Sequence, residues 1–124
     1  KDTWPLDTPQ ASENTDAPLS GIKVVELATI IASPLGASFL SDLGARVIKV
    51  ETIGGDPFRA MGGGYGELRC NQGKESIGVD LKSSEGQSLV HELIRDADIV
   101  IHNFRPGVPE RLAIDYKTLS AINP

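Results

Sequence analysis

Cysteine is nearly absent. Cys70 stands alone among 124 residues, so no disulfide can form within the chain. That fits a reducing compartment, and a cytoplasmic location is expected. Histidine is almost as scarce, and the two histidines and the cysteine lie too far apart in sequence to give a zinc-ligand spacing. Long apolar runs are missing as well: none approaches the ~20 residues that a membrane-spanning helix needs. No charged-then-apolar leader opens the sequence, so secretion is not indicated. Positive charge is not in excess either, and a formal net charge of −5 argues against general nucleic-acid binding. An anionic ligand would have to be held by local cations and backbone N–H groups.

What is present is a globular composition, 40% hydrophobic and 23% charged, with 13 Gly and 8 Pro. The length suits one small domain or part of a larger one. The chain starts at Lys1 and stops at Asn123-Pro124, and neither looks like a natural terminus. A piece of a longer polypeptide is expected. Residues 1–17 are rich in Pro, Asp, Thr, Ser and Asn and read as a flexible tail or linker, with Trp4 and Leu6 able to dock on a neighbour.

Order is expected from residue 18 onward. Ile22 to Leu27 is β-rich and bounded by Ser20-Gly21, which predicts a strand. Pro34 suits the first turn of a helix carrying Leu35, Phe39, Leu40 and Leu43, with Gly44 placed for a left-handed cap. Arg46 to Glu51 predicts a second strand, completing a β-α-β unit. Thr52 to Gln72 is glycine-rich and reads as a long irregular loop. Ser76 to Leu81 predicts a short strand, and Ser84 with Gln87 a capping box for a helix striped by Leu89, Val90, Leu93, Ile94 and Ala97. Asp98 to His102 is nearly all apolar, as in a strand buried on both faces. Asp115 caps a last helix holding Tyr116, Leu119 and Ile122. The fold class is therefore α/β: a Rossmann-like, mostly parallel sheet with flanking helices and right-handed crossovers. In such sheets ligands sit beyond the carboxyl ends of the strands.

The first strand-to-helix turn, Ala28 to Gly36, lacks G-x-G-x-x-G, so a nicotinamide dinucleotide site is poorly supported. Ala32, Ser33 and Gly36 would still let a ligand approach the helix start; close helix-to-sheet packing explains them equally well. Glu51 reads as a structural or solvent-facing acid, and the Gly62-to-Gly66 run as a flexible loop. Lys74 and Lys82 flank the third strand and could each meet a phosphate, although a single lysine is usually solvated. His91 reads as solvent-facing. His102 lacks a nucleophile and an orienting acid, and Cys70 lacks an activating partner. Asn103-Phe104-Arg105-Pro106-Gly107, with Arg111 soon after, combines an amide, an aromatic face, guanidinium groups and a rigid turn. Those groups suit adenine and phosphates. They suit a turn anchored by a buried phenylalanine equally well.

The order of segments resembles the family III CoA-transferases, the carnitine-dehydratase and bile-acid-inducible group. Pro18 to Leu27 is similar to their opening P-L-x-G-x-x-V-x-(D/E) pattern. The likeness continues through Asp42 to Glu51, Gly55-Asp56 with Arg59, Asn71 to Ile77, Asp80-Leu81-Lys82, Ala97 to Val100, Asn103 to Gly107, and Asn123-Pro124. It covers residues 18–124 as the N-terminal, CoA-binding segment of an incomplete large domain.

This resemblance implies a protein roughly three times as long. It implies an interlocked homodimer that moves CoA between carboxylic acids through mixed-anhydride and thioester intermediates on an aspartate. That aspartate would lie beyond residue 124, leaving this chain inactive alone. It also implies coenzyme A contacts from Ile31 and Ala32 near the thioester end, from Val79 and Lys82, and from Asn103, Phe104, Arg105 and Arg111 around the nucleotide. Three positions depart from the pattern. Thr52 stands where relatives often have arginine, His102 replaces a common acid, and Ile31 is apolar where an oxalate-type member has glutamine. An acyl-CoA racemase segment and a non-catalytic CoA-binding or assembly module are the other readings. An unfinished parallel sheet is expected to expose apolar surface and to self-associate.

Overall fold

The computed structural model of the protein describes residues 16–61 and 65–124. Trp4 and Leu6, the rest of residues 1–15, and Gly62 to Gly64 lie outside the described residues. Four parallel strands form one sheet: β1 Lys23–Leu27, β2 Arg46–Glu51, β3 Glu75–Gly78 and β4 Ile99–His102, in the order β3-β2-β1-β4. The chain steps outward from β1 to β2 to β3, then returns to the other side of β1. The order therefore reverses between β1 and β4, where open α/β sheets present their ligand crevice.

Side-chain alternation divides the strands between two cores. Val25 and Leu27 of β1 and Ile48 and Val50 of β2 pack with Val90, Leu93 and Ile94 of α3 (Ser84–Arg95) and with Ile114. Val24 and Val47 face the other way, onto Ala37 of α1 (Ala32–Asp42) and Ala45. The helix α2 (Tyr65–Asn71) packs against α1, and α5 (Tyr116–Ile122) against α3. Gly44 ends α1 at φ 101°, the left-handed role expected of it.

Several local expectations give way. The Thr52-to-Gln72 segment contains a 3-10 turn at Pro57–Ala60 and the helix α2, whose second residue is Gly66. Glycine density hid both. Ser83, not Ser84, caps α3: its hydroxyl accepts from Gly86 N at 3.0 Å, while Gln87 donates to the Leu81 carbonyl. Leu89 lies off the buried stripe and is 41% exposed. The chain also forms a short helix, α4 (Val108–Arg111), opened by Gly107 at φ 82°. Its Leu112 N–H returns to the Val108 carbonyl. β4 is an edge strand here, with Ile99 36% exposed, so its apolar run is covered on fewer sides than its composition suggests.

Candidate functional site

A cleft of about 460 Å³ opens at the carboxyl ends of β1, β2 and β3. Its wall runs from Ala28-Thr29 after β1, through Glu51 to Asp56 after β2, to Val79 to Lys82 after β3. Phe104 and Leu112 close it from the β4 side. Three of the expected ligand residues, Val79, Lys82 and Phe104, thus line one cavity. Val79 is buried and Lys82 is exposed. Phe104 does two jobs: it packs against the main core and stacks on His102, with ring centroids 5.8 Å apart, while another part of it faces the cleft.

The other five are not part of its lining. Asn103 bridges the switch point: its amide accepts from Thr29 N at 3.0 Å and donates to the Thr29 carbonyl at 2.8 Å. That pair of bonds fixes the β4 turn against the β1 turn, and uses the side chain as a brace. Arg105 and Arg111 are exposed neighbours of the lining residues Phe104 and Leu112. Ile31 and Ala32 are exposed at the start of α1.

The charges sort in a revealing way. Arg46, Lys49, Arg59, Arg69, Lys74 and Arg95 all have carboxylate partners. Lys82, Arg105 and Arg111, and Lys117 of α5, have none among the described residues. The acids of the cleft are mostly engaged. Glu51 takes Arg59 at 2.6 Å and Asp56 N at 3.1 Å, which makes it structural, as expected. Asp56 is held by Lys49, and Asp80 Oδ1 accepts from Lys82 N. Cations left unpaired beside a partly apolar cleft suit an anionic, partly apolar ligand.

On the α1 face of the sheet, opposite to Leu27 and Val50 of the cleft, lies a buried charge chain that the sequence reading missed. Lys74 was expected at the surface, but its side chain is 2% exposed and donates to Glu26 at 2.5 Å and to the Pro34 carbonyl at 2.7 Å. Lys49 donates to Glu26 at 3.1 Å and to Asp56 at 2.7 Å. Both oxygens of Asp56 accept from Ile30 N at 3.2 Å, and Oδ1 also accepts from Phe58 N at 2.9 Å. Burial alone would raise the Asp56 carboxyl. The Lys49 ammonium and the two backbone N–H groups outweigh it and hold the carboxyl below its usual value. Burial pushes the Lys74 ammonium below its ordinary value, which Glu26 only partly offsets. A signal was available: Glu26 and Lys49 interrupt apolar strands, and a buried parallel sheet tolerates such charges only when they are paired.

The remaining candidates are structural. His91 donates its ring N–H to the Ala113 carbonyl at 2.7 Å rather than facing solvent, and Cys70 is buried. No cluster that could hold a metal ion occurs among the described residues. No described helix is long and apolar enough to cross a membrane.

The chain is similar to several known proteins. The chain is 43% identical to a succinate–glutarate CoA-transferase of Agrobacterium fabrum, over 90% of this chain and 31% of that protein. It is 41% identical to an acetyl-CoA:oxalate CoA-transferase of Acetobacter aceti, over 86% of this chain and 29% of that one. A crystal structure of a CAIB/BAIF family protein from Brucella suis superposes with a TM-score of 0.84 at 44% identity, covering 87% of this chain and 31% of that chain. The chain thus spans under a third of the length of these relatives. The family model described as CoA-transferase family III matches residues 19–124, and the chain belongs to that family.

Proposed function

We propose that this chain supplies the coenzyme A-holding cleft of an acyl-CoA transferase, which moves CoA from one carboxylic acid to another. The observation that carries the reading is the joint placement of Val79, Lys82 and Phe104 around one cleft at the strand ends. Phe104 offers a face for adenine, Lys82 a cation for phosphate, and the Val79–Leu81 wall an apolar surface for the pantetheine arm. Asn103 braces the turn that carries Phe104. Arg105 and Arg111 stand outside the lining and would meet the outer phosphates. Ile31 and Ala32 would adjoin the thioester end.

The reaction itself would run on an aspartate beyond residue 124, in an interlocked homodimer. Its carboxylate displaces the CoA thiolate from the acyl-CoA, giving a mixed anhydride. The thiolate then attacks the aspartyl carbonyl, which releases the first acid and leaves an aspartyl-CoA thioester. The second acid's carboxylate repeats these steps in reverse. The task of the present residues is to retain CoA while its thiolate is free.

Transfer of CoA from an acyl-CoA to a labelled free carboxylate by the full-length enzyme tests this. Labelled acyl-CoA should accumulate as the first acid is released. Epimerisation of a 2-methylacyl-CoA without any transfer would contradict it, as would thioester hydrolysis alone.

A further inference from the structure

The buried chain Asp56–Lys49–Glu26–Lys74 ends on the backbone at Ile30, Phe58 and Pro34. One end, Asp56, binds Ile30 N with both carboxylate oxygens; the other, Lys74, binds the Pro34 carbonyl. Ile30 and Pro34 bracket residues 31–33, the turn from β1 into α1. Ile30 has φ 71°, a left-handed conformation that a β-branched residue adopts only when its surroundings impose it. The four side chains doing so are almost fully buried: Lys49 1% exposed, Glu26 0%, Asp56 1% and Lys74 2%. Two acids and two lysines also balance in charge. Asp56 also caps the 3-10 turn through Phe58 N, but a network needed only for that cap would not reach on to the Pro34 carbonyl. Ion pairs of this kind gain little over apolar packing, and a role in fixing geometry accounts for their presence better.

We propose that this four-residue chain is a clamp that positions the Ile31-Ala32 turn against the thioester end of bound acyl-CoA. Its members touch no substrate and act through the backbone of Ile30 and Pro34. The proposal rests on the CoA-transferase reading for its consequence on turnover, but the holding of the turn can be measured without activity.

Two single variants, Asp56→Ala and Lys74→Met, release opposite arms of the clamp in the full-length enzyme. Each should raise amide hydrogen exchange at residues 30–35 by about tenfold or more, with β1 and β2 unchanged. Each should lower kcat by about 10- to 100-fold while the affinity for free CoA stays within about threefold. Ile30→Gly adopts the positive φ without strain. Added to Asp56→Ala, it should recover most of the lost kcat, and it should not rescue Lys74→Met. Normal kcat in both variants with only a lowered Tm would overturn the proposal, as would unchanged exchange at residues 30–35. If the unaltered enzyme transfers no CoA, the functional reading fails, and the exchange experiment alone decides whether the clamp exists.

Discussion

At the residue scale, the decisive group is Lys49. It sits in the second strand of the sheet at 1% exposure and neutralises both Glu26 and Asp56. Removing it leaves the buried Asp56 carboxylate without its ammonium and Glu26 with Lys74 alone. Lys49→Met should therefore destabilise the fold by about 3–5 kcal/mol, far more than its lost volume would, measured by urea denaturation at pH 7. Asp56 supplies a pH dependence whose sign is fixed. Its folded-state carboxyl lies below the ordinary value of about 3.9, so its stabilisation is full above about pH 4 and is lost as pH falls through the folded value. Asp56→Asn should be less stable at neutral pH and should show a shallower loss of stability on acidification below about pH 4. Equal acid slopes in the two proteins would contradict that assignment. None of this was read from the sequence. Lys74 looked like an ordinary exposed lysine because nothing in its own neighbourhood, Gln72 to Ser76, announces that Glu26 lies across the fold from it. Pairs 48 residues apart become visible only when topology joins them.

At the element scale, the β3–α3 corner shows what local pattern can and cannot give. The helix, its buried stripe and a serine cap were all legible, because spacing and capping chemistry are local. The register of the cap was off by one, since two adjacent serines compete and only the packing chooses. Packing chooses Ser83 because Gly86 lets α3 approach the Asp80 turn. A Cβ on Gly86 would lie 2.1 Å from the Asp80 carbonyl oxygen, a backbone atom that cannot swing aside. Gly86→Ala should cost about 1–3 kcal/mol and displace the turn that carries Lys82, weakening CoA binding as well. Denaturation and titration of the same variant check both halves. Ser83→Ala, which removes the cap and the hydroxyl's 2.8 Å bond to the Asp80 carbonyl, should cost about 1–2 kcal/mol. The helix α2 escaped notice for a different reason. Its seven residues sit among glycines, and it gains its partner from packing on α1 rather than from propensity.

At the scale of the whole molecule, the alternation of strands and helices made the parallel sheet legible from sequence, and the ordered motifs made the family legible. Which residues share the cleft was legible in part. Val79, Lys82 and Phe104 line it, but Asn103 turns out to brace two loops, and the arginines stand outside the lining. Those distinctions depend on where strand ends converge, which no single segment encodes. The same architecture leaves β4 as an edge and exposes Ile99, Leu89, Phe39 and Leu68. Residues 1–124 expressed alone should therefore self-associate at micromolar concentration and bind an apolar dye. A dye-silent monomer in analytical ultracentrifugation would count against this.

The central claim, that the cleft at the strand ends holds coenzyme A, is tested most directly by calorimetric titration of CoA into the full-length enzyme and its Phe104→Ala and Lys82→Ala variants. Loss of a stacking face should weaken binding by about 1–3 kcal/mol, or roughly 5- to 150-fold in Kd. Loss of the Lys82 cation should weaken it by roughly 10-fold or more, with a reduced dependence on salt. Identical CoA affinities in all three proteins would contradict the account.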